Sequence, residues 1–114
     1  MDIGDFMKKN NIAIFAEGNI KENRFVIWKR NFKLENRNIY EQLILDKSVN
    51  GLLDYMDGQI MPRIWSQGKT KAVICKPTDN RLIVIFTDNG LDAKEIYLWS
   101  KDIEKKIREL YLAN

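Results

Sequence analysis

The 114-residue sequence contains no histidine and only one cysteine. The lack of histidine removes the usual general base at neutral pH and the commonest zinc ligand. A single cysteine, Cys75, excludes an intrachain disulfide, and its place within an apolar run predicts a buried thiol. No nucleophile, base and orienting group can be assembled from the residues that remain. We therefore expect a non-enzymatic protein without a cofactor or a metal.

Long apolar runs are absent as well. The run Leu82–Phe86 covers five residues, whereas a helix needs about 20 to cross a bilayer. The first residues, Met1–Asp5, lack the basic start and the apolar stretch of an export signal. With 45% hydrophobic and 31% charged residues, the composition is that of a globular protein and not of a disordered one. We expect one domain over residues 1–114, located in the cytoplasm.

A strong excess of one charge is also missing. The chain has nineteen cationic and sixteen acidic side chains, which gives a formal net charge of +3. This excess permits contact with nucleic acid but does not predict it.

The clearest pattern lies in the last third of the chain. Two apolar runs, Ala72–Cys75 and Leu82–Phe86, are separated by a turn at Thr78–Asn80, which predicts a β-hairpin. Leu82–Phe86 shows no alternation of apolar and polar residues, so both of its faces must be covered and it belongs in the centre of a sheet. Near the N-terminus, Ile12–Ala16 and Arg24–Arg30 predict a second hairpin.

Pro62 gives the position of a further strand. Ile60–Trp65 has strand-like composition, but proline cannot donate a hydrogen bond to a neighbouring strand. The strand is therefore predicted at an edge of the sheet, followed by a turn at Ser66–Thr70.

A central helix is predicted from Ile39 onward. Asn38 and Glu41 resemble a capping box, in which each side chain accepts a hydrogen bond from a free backbone N–H at the helix start. Gly58 is a natural C-terminal stop, and a bend or break is expected near Ser48.

Two further helices are predicted at the ends of the chain. A short one covers Met1–Lys9, and a long one runs from Asp92 to Leu112 with a capping box formed by Asp92 and Glu95. One apolar stripe follows the long helix at steps of three and four residues: Ile96, Trp99, Ile103, Ile107 and Leu110.

The resulting order is α-β-β-α-β-β-β-α. This order, together with the stretch Met61–Thr87, resembles the roadblock family of dynein-associated light chains and their prokaryotic relatives. The features that resemble the family are a basic edge strand, a strand ending in a proline, a short Asp-Asn turn and a run of β-branched residues. Longin domains are similar in much of the same topology.

The resemblance implies an α+β fold of roadblock or longin type. Its five-stranded antiparallel sheet would carry the central helix on one face and the terminal helices on the other. Members of the family are mostly homodimers or heterodimers that pair edge strands and central helices, and they serve as scaffolds or as regulators of small GTPases and motors. We therefore expect a homodimeric interaction module whose protein partner is a small GTPase or a complex scaffold.

Arg63 and Trp65 are the first candidate partner-binding residues. In a strand they project to the same side, and exposed Trp and Arg are the residue types that most often anchor protein interfaces. Burial of Trp65 beneath a helix is the open alternative.

The segment Arg24–Lys33 is the second candidate surface. It interleaves Phe25, Trp28 and Phe32 with cations, the combination that single-stranded nucleic-acid binders use for stacking and phosphate contact. A small basic nucleic-acid-binding protein would use Trp28, Lys29, Arg30 and Lys33. Strand alternation places Phe25 and Trp28 on opposite faces, so core packing of the aromatics stays open as the alternative.

Two patterns that suggest ligand chemistry are better explained structurally. Gly68–Thr70 resembles the end of a phosphate-binding loop, but Arg63 stands where that motif needs its first glycine, and a strand follows in place of a helix. Asp79 and Asp88 lie at opposite ends of one strand, while turn and cap roles explain Asp88 and Asp92, so no shared metal ion is expected.

A third hypothesis concerns a different class of protein. The compact size and the richness in Ile, Asn and Lys are also compatible with a small inhibitor or immunity protein of a microbe or phage.

Overall fold

The sheet is the framework of the molecule, and a computed structural model describes it for residues 2–31 and 33–112. Within this part of the chain, five strands pair antiparallel in the order β2-β1-β5-β4-β3. Their bounds are β1 Ile14–Asn19, β2 Arg24–Lys29, β3 Arg63–Gln67, β4 Thr70–Thr78 and β5 Arg81–Asp88. The predicted five-stranded antiparallel sheet is confirmed.

The centre of the sheet is β5. It pairs with β1 on one side and β4 on the other, and every residue from Leu82 to Thr87 is buried. The β4–β5 hairpin turns at Asp79 and Asn80, as the sequence predicts. The register shifts between Cys75 and Thr78, where Pro77 has no N–H to give to the ladder.

The strand β3 lies at an edge, as predicted, but it begins later than expected. It spans Arg63–Gln67 and pairs with β4 alone. The predicted start at Ile60 is wrong because Pro62 cannot join a ladder, so pairing begins at the next residue. The following turn consists of Gly68 and Lys69, and the φ of +58° at Gly68 favours glycine there. A turn is thus confirmed at Gly68 and Lys69, but the predicted bounds Ser66–Thr70 are too wide, because Ser66 and Gln67 belong to β3 and Thr70 begins β4.

The central helix is broken into two parts, as the sequence predicts. α2 (Asn38–Tyr40) continues into a π-helical stretch (Glu41–Leu45), and α3 (Val49–Tyr55) follows after a break. The Ser48 side chain caps α3 by accepting a hydrogen bond from the Gly51 N–H at 3.0 Å. Gly58, past the end of α3, has a φ of +76°.

The predicted capping box at the start of α2 is wrong. Asn38 lies inside the helix, and Arg37 occupies the cap position without a side-chain cap hydrogen bond. The reason is a longer-range contact: Asn36 donates from its backbone to Thr70 Oγ1 and from its side chain to the Gln67 carbonyl. These bonds fix the chain before the helix.

The terminal helices are α1 (Ile3–Lys9) and α4 (Ala93–Leu112). At the start of α4 the Glu95 N–H donates to Asp92 Oδ1 at 2.8 Å, and the Asp92 N–H donates to Glu95 Oε1 at 3.1 Å. This capping box is confirmed in both directions. Met1, predicted within the first helix, lies outside the described residues.

Two apolar layers cover the sheet. Alternation along β5 sends Leu82, Val84 and Phe86 to the face of α2 and α3, and Ile83 and Ile85 to the face of α1 and α4. The expected arrangement, with the central helix on one face and the terminal helices on the other, is confirmed. Four of the five stripe residues of α4 are buried, and Trp99 is partly buried. Across the described residues, no helix has the length and apolar character needed to cross a membrane.

Candidate functional site

Within the described part of the chain, the backbone groups at the outer edge of β3 have no partner strand. A two-residue turn closes the β3–β4 hairpin, so the flanking residues Gln67 and Thr70 form a hydrogen-bonded pair. In an antiparallel ladder such pairs alternate with pairs that make no mutual hydrogen bonds. The N–H and C=O groups of Ile64 and Ser66 therefore point away from β4. They are available to a further strand.

A row of four side chains lies beside this edge, on the face covered by α2 and α3. The Trp65 ring contacts Tyr55 of α3 with 5.9 Å between ring centroids and an interplanar angle of 30°. The Arg63 guanidinium lies 5.2 Å from the centre of the Trp65 ring, and the Lys47 ammonium lies 5.2 Å from that of Tyr55. We refer to Lys47, Tyr55, Trp65 and Arg63 as the cation–aromatic stack.

The stack combines exposure with fixed geometry. Tyr55 is 59% exposed, and nearby along the chain Ile60 is 85% exposed. Trp65 is partly buried because one side packs against the core under α3. The prediction that Arg63 and Trp65 share one side is confirmed, and the alternative of a Trp65 buried beneath a helix is only partly met.

The two cations of the stack have no carboxylate partner among the described residues. Among the described residues, the ion pairs involve other cations, and neither Lys47 nor Arg63 takes part in one. Lys47 Nζ donates to the Gln42 carbonyl at 3.0 Å. The stack therefore presents positive charge beside two aromatic rings.

The second predicted surface, at Trp28, Lys29 and Arg30, is not brought together. Trp28 is partly buried on the α1 and α4 face, where its ring meets Phe15 edge to face at 5.8 Å. Lys29 lies on the opposite face, 5.2 Å from the centre of the Tyr40 ring. Core packing of the aromatics, the alternative that the sequence left open, is what the structure shows at Trp28.

Arg30 has a structural role. Its Nη1 donates to the carbonyls of Met7 and Ile12, at 3.4 and 3.3 Å, and so joins the end of α1 to β2. Lys33 is exposed, and Phe32 lies outside the described residues.

The aspartates considered as metal ligands have separate tasks. Asp88 accepts hydrogen bonds from Thr70 Oγ1 at 2.6 Å and from the Glu35 N–H at 2.8 Å. Asp92 caps α4, while Asp79 lies 3.9 Å from Lys76 Nζ. Residues 2–31 and 33–112 contain no group of three side chains able to hold a metal ion.

Two titratable groups beside the sheet have shifted pKa values: Cys75, which is buried, and Tyr111, which is partly buried. Cys75 is buried in β4, and this burial raises the pKa of its thiol to about 12. The Tyr111 hydroxyl donates to the Glu17 carboxylate, whose Oε1 lies 3.7 Å from Arg81 Nε. Burial, with the bond to Glu17, raises the pKa of Tyr111 well above its ordinary value. This cluster fastens the last turn of α4 to β1 and β5.

Lys47 and Tyr55 are not among the candidate residues that the sequence predicts. Tyr55 comes from a helix and Trp65 from a strand, and nothing local in either segment indicates that their rings meet. The one sequence feature that could have indicated this contact is the short distance along the chain between the end of the central helix and the edge strand β3.

Comparisons with known proteins bear on the fold. No protein-family model matches the sequence, and no curated protein matches it. Solved structures do match, among them MglB of Myxococcus xanthus, with a TM-score of 0.50 and 10% sequence identity. The match covers 96% of this chain and 91% of that one. The chain therefore has a roadblock/longin-like fold, as its sequence predicted.

Proposed function

We propose that the protein is a non-enzymatic interaction module of roadblock/longin type that docks another protein at the margin formed by β3 and α3. The observation that carries this proposal is the coincidence of an open sheet edge with the cation–aromatic stack. Aromatic and arginine side chains anchor most protein interfaces, and backbone groups at a sheet edge supply hydrogen bonds.

The partner class that we propose is a small GTPase or a complex scaffold. This proposal rests on the role that the roadblock and longin resemblance implies, and the likeness to MglB over 96% of the chain supports the underlying fold. In this role the protein binds and positions its partner without performing chemistry of its own.

We also propose a homodimer that pairs through the exposed end of the central helix. Leu45, at the end of the π-helical stretch, is 58% exposed. An apolar side chain on this surface suits a symmetric contact, in which the same patch of both copies becomes buried. Such pairing leaves the edge of β3 free for a different partner.

Light scattering coupled to size-exclusion chromatography tests the dimer. We expect a mass of twice 13.5 kDa. Leu45→Glu should shift the protein toward the mass of one chain, because the substitution places a charge in the interface. Leu98→Glu is the matched control, since Leu98 is 59% exposed on α4 and lies outside the proposed interface. A wild-type monomer at high concentration would contradict the dimer.

Calorimetric titration tests the partner class. Small GTPases of the source organism are purified in their GDP form and with a non-hydrolysable GTP analogue, and each is titrated with the protein. We expect at least one to bind, with a preference between nucleotide states, and Trp65→Ala to weaken that binding. Absence of binding to all of them would remove the GTPase proposal.

Nucleic-acid binding is the second candidate function, and the positive charge of residues 24–37 favours it. Residues 24–37 contain five cations and one acid, a local charge of 5 − 1 = +4 in a chain whose net charge is +3. The partial burial of Phe25 and Trp28 on opposite faces argues against a continuous stacking surface. A titration with single-stranded DNA at low and high salt discriminates, because phosphate contacts give steeply salt-dependent binding.

A further inference from the structure

The edge of β3 can accept one more strand. The outward N–H and C=O groups of Ile64 and Ser66 have the spacing of an antiparallel ladder. A segment added there would lie about 4.8 Å from β3. Its backbone would form hydrogen bonds with these groups, and its side chains would lie beside those of β3 on both faces. An extended segment is thus the kind of ligand that this edge fits.

The arginine of the stack is prepared for a carboxylate. The Arg63 guanidinium lies 5.2 Å from the centre of the Trp65 ring, and no side-chain hydrogen bond or ion pair among the described residues occupies its N–H groups. A planar guanidinium in this position can donate two parallel hydrogen bonds to one carboxylate. The contact with the ring also restricts the side chain before the partner arrives, which lowers the entropic cost of binding.

The charge of the margin is not neutralised from within the described chain. Lys47 and Arg63 stand at opposite ends of the stack, and neither makes an ion pair. The acidic residues closest along the chain, Asp46, Asp54 and Asp57, do not appear in any ion pair with them. A complementary partner must therefore bring negative charge.

A second copy of β3 does not meet this requirement. The strand Arg63–Gln67 contains no acidic residue, so antiparallel pairing of two β3 strands leaves both arginines without a carboxylate from the facing strand. The edge is thus better suited to a different chain than to itself.

We infer that β3 receives an extended acidic segment of a protein partner as an additional strand, with carboxylates that bind Arg63 and Lys47. This inference rests on the proposed function in one respect: it takes the margin of β3 and α3 as the docking surface. It adds the conformation and the charge of the segment that docks there.

Two synthetic peptides test the inference. One alternates glutamate with valine over about nine residues, a typical strand length, and the other alternates lysine with valine. Both are titrated into the full-length protein and followed by amide NMR shifts and hydrogen exchange. We expect the acidic peptide to shift the β3 amides and to slow exchange at Ile64 and Ser66. The basic peptide should do neither.

A pair of charge reversals provides the control. Arg63→Glu should weaken binding of the acidic peptide by about 10-fold or more. Arg24→Glu makes the same change in the edge strand β2, where Arg24 already pairs with Glu22 at 3.3 Å, and should alter the affinity less than about 2-fold. Circular dichroism of both variants verifies that they are folded. Equal weakening by the two variants would show nonspecific attraction and overturn the inference.

The remaining outcomes separate this inference from the proposed function. Equal affinity for both peptides, or amide shifts that lie away from β3, would overturn the acidic strand and leave the interaction module standing. Binding of the acidic peptide at β3 in a protein that is monomeric and binds no GTPase would support the inference and overturn the proposed partner class.

Discussion

The strands β5 and β3 belong to one sheet and are separated by β4 alone, yet their surroundings are opposite. In β5, six consecutive residues from Leu82 to Thr87 are buried, because helices cover both faces and strands flank both edges. In β3 no residue is buried, and one of its edges has no neighbouring strand from residues 2–31 or 33–112. The side chains of β5 therefore belong to the core that stabilises the fold, whereas those of β3 are the ones that we propose to bind a partner.

The largest effect is expected from Phe86→Ala in β5. Phe86 is fully buried and meets the Tyr40 ring edge to face at 5.4 Å. Its removal leaves a cavity, and we expect the free energy of unfolding to fall by about 3–5 kcal/mol. Urea denaturation measures this change. Tyr97→Ala, at an aromatic residue that is 55% exposed on α4, is the control and should cost less than about 1 kcal/mol. An equal loss of stability in the two variants would contradict the conclusion that burial in β5 determines stability.

The second-largest effect on stability is expected at Gly18, where β1 lies close to the central strand β5. At Gly18 an added Cβ would lie 3.0 Å from Phe25 Cε1 and 3.1 Å from the Leu82 carbonyl oxygen. Because a backbone atom of β5 cannot move aside easily, Gly18→Ala should lower the free energy of unfolding by about 1–3 kcal/mol. At Gly90 an added Cβ meets nothing within 4 Å, so Gly90→Ala should change stability by less than about 0.5 kcal/mol. Thermal unfolding of the two variants measures this difference, and an equal stability of both would contradict the predicted clash at Gly18.

A smaller effect concerns alkaline pH and Cys75, which faces Ile83 of β5 across the ladder. Burial raises the pKa of this thiol from 9.0 to about 12, so above pH 9 the unfolded chain releases a proton that the folded chain keeps. The free energy of unfolding should therefore fall as the pH rises from 9 toward 12, by about 1 kcal/mol at pH 10. More than about one pH unit below 9, the thiol is protonated in both states and contributes almost no slope.

Cys75→Val isolates this contribution, because Tyr111 and the other groups are present in both proteins. Urea titrations at pH 8 and pH 10 should show a smaller loss for the variant than for the wild type. Identical losses would mean that the thiol is not kept neutral by burial.

The same contrast explains what the sequence could predict. The unbroken apolar run of Leu82–Phe86 indicates a central strand because nothing in it suits water. Pro62 indicates an edge because a missing N–H is tolerated only there. These are properties of single segments, as is the capping box at Asp92 and Glu95, and all of them were confirmed.

Specific side-chain contacts between distant segments escaped prediction. The cap at Asn38 failed because bonds from Asn36 to Thr70 and Gln67 set the start of α2. The stack was foreseen only in its β3 half, Arg63 and Trp65, because the position of Tyr55 depends on how α3 packs against the sheet. The candidate site beside β3 is thus harder to predict from the sequence than the hydrophobic core that supports it.

The smallest effect on stability is expected from Arg63→Glu in β3. Arg63 is exposed, and among the described residues its side chain lies against the Trp65 ring without an ion pair, so the free energy of unfolding should change by less than about 0.5 kcal/mol. Arg30→Ala should cost about 1 kcal/mol or more, because Arg30 donates to two backbone carbonyls that would lose a partner. Urea denaturation of both variants tests this order. If Arg63→Glu costs as much as Arg30→Ala, then Arg63 is part of the scaffold. If it costs almost nothing while partner binding is lost, β3 is retained in this sheet for what it binds and not for what it stabilises.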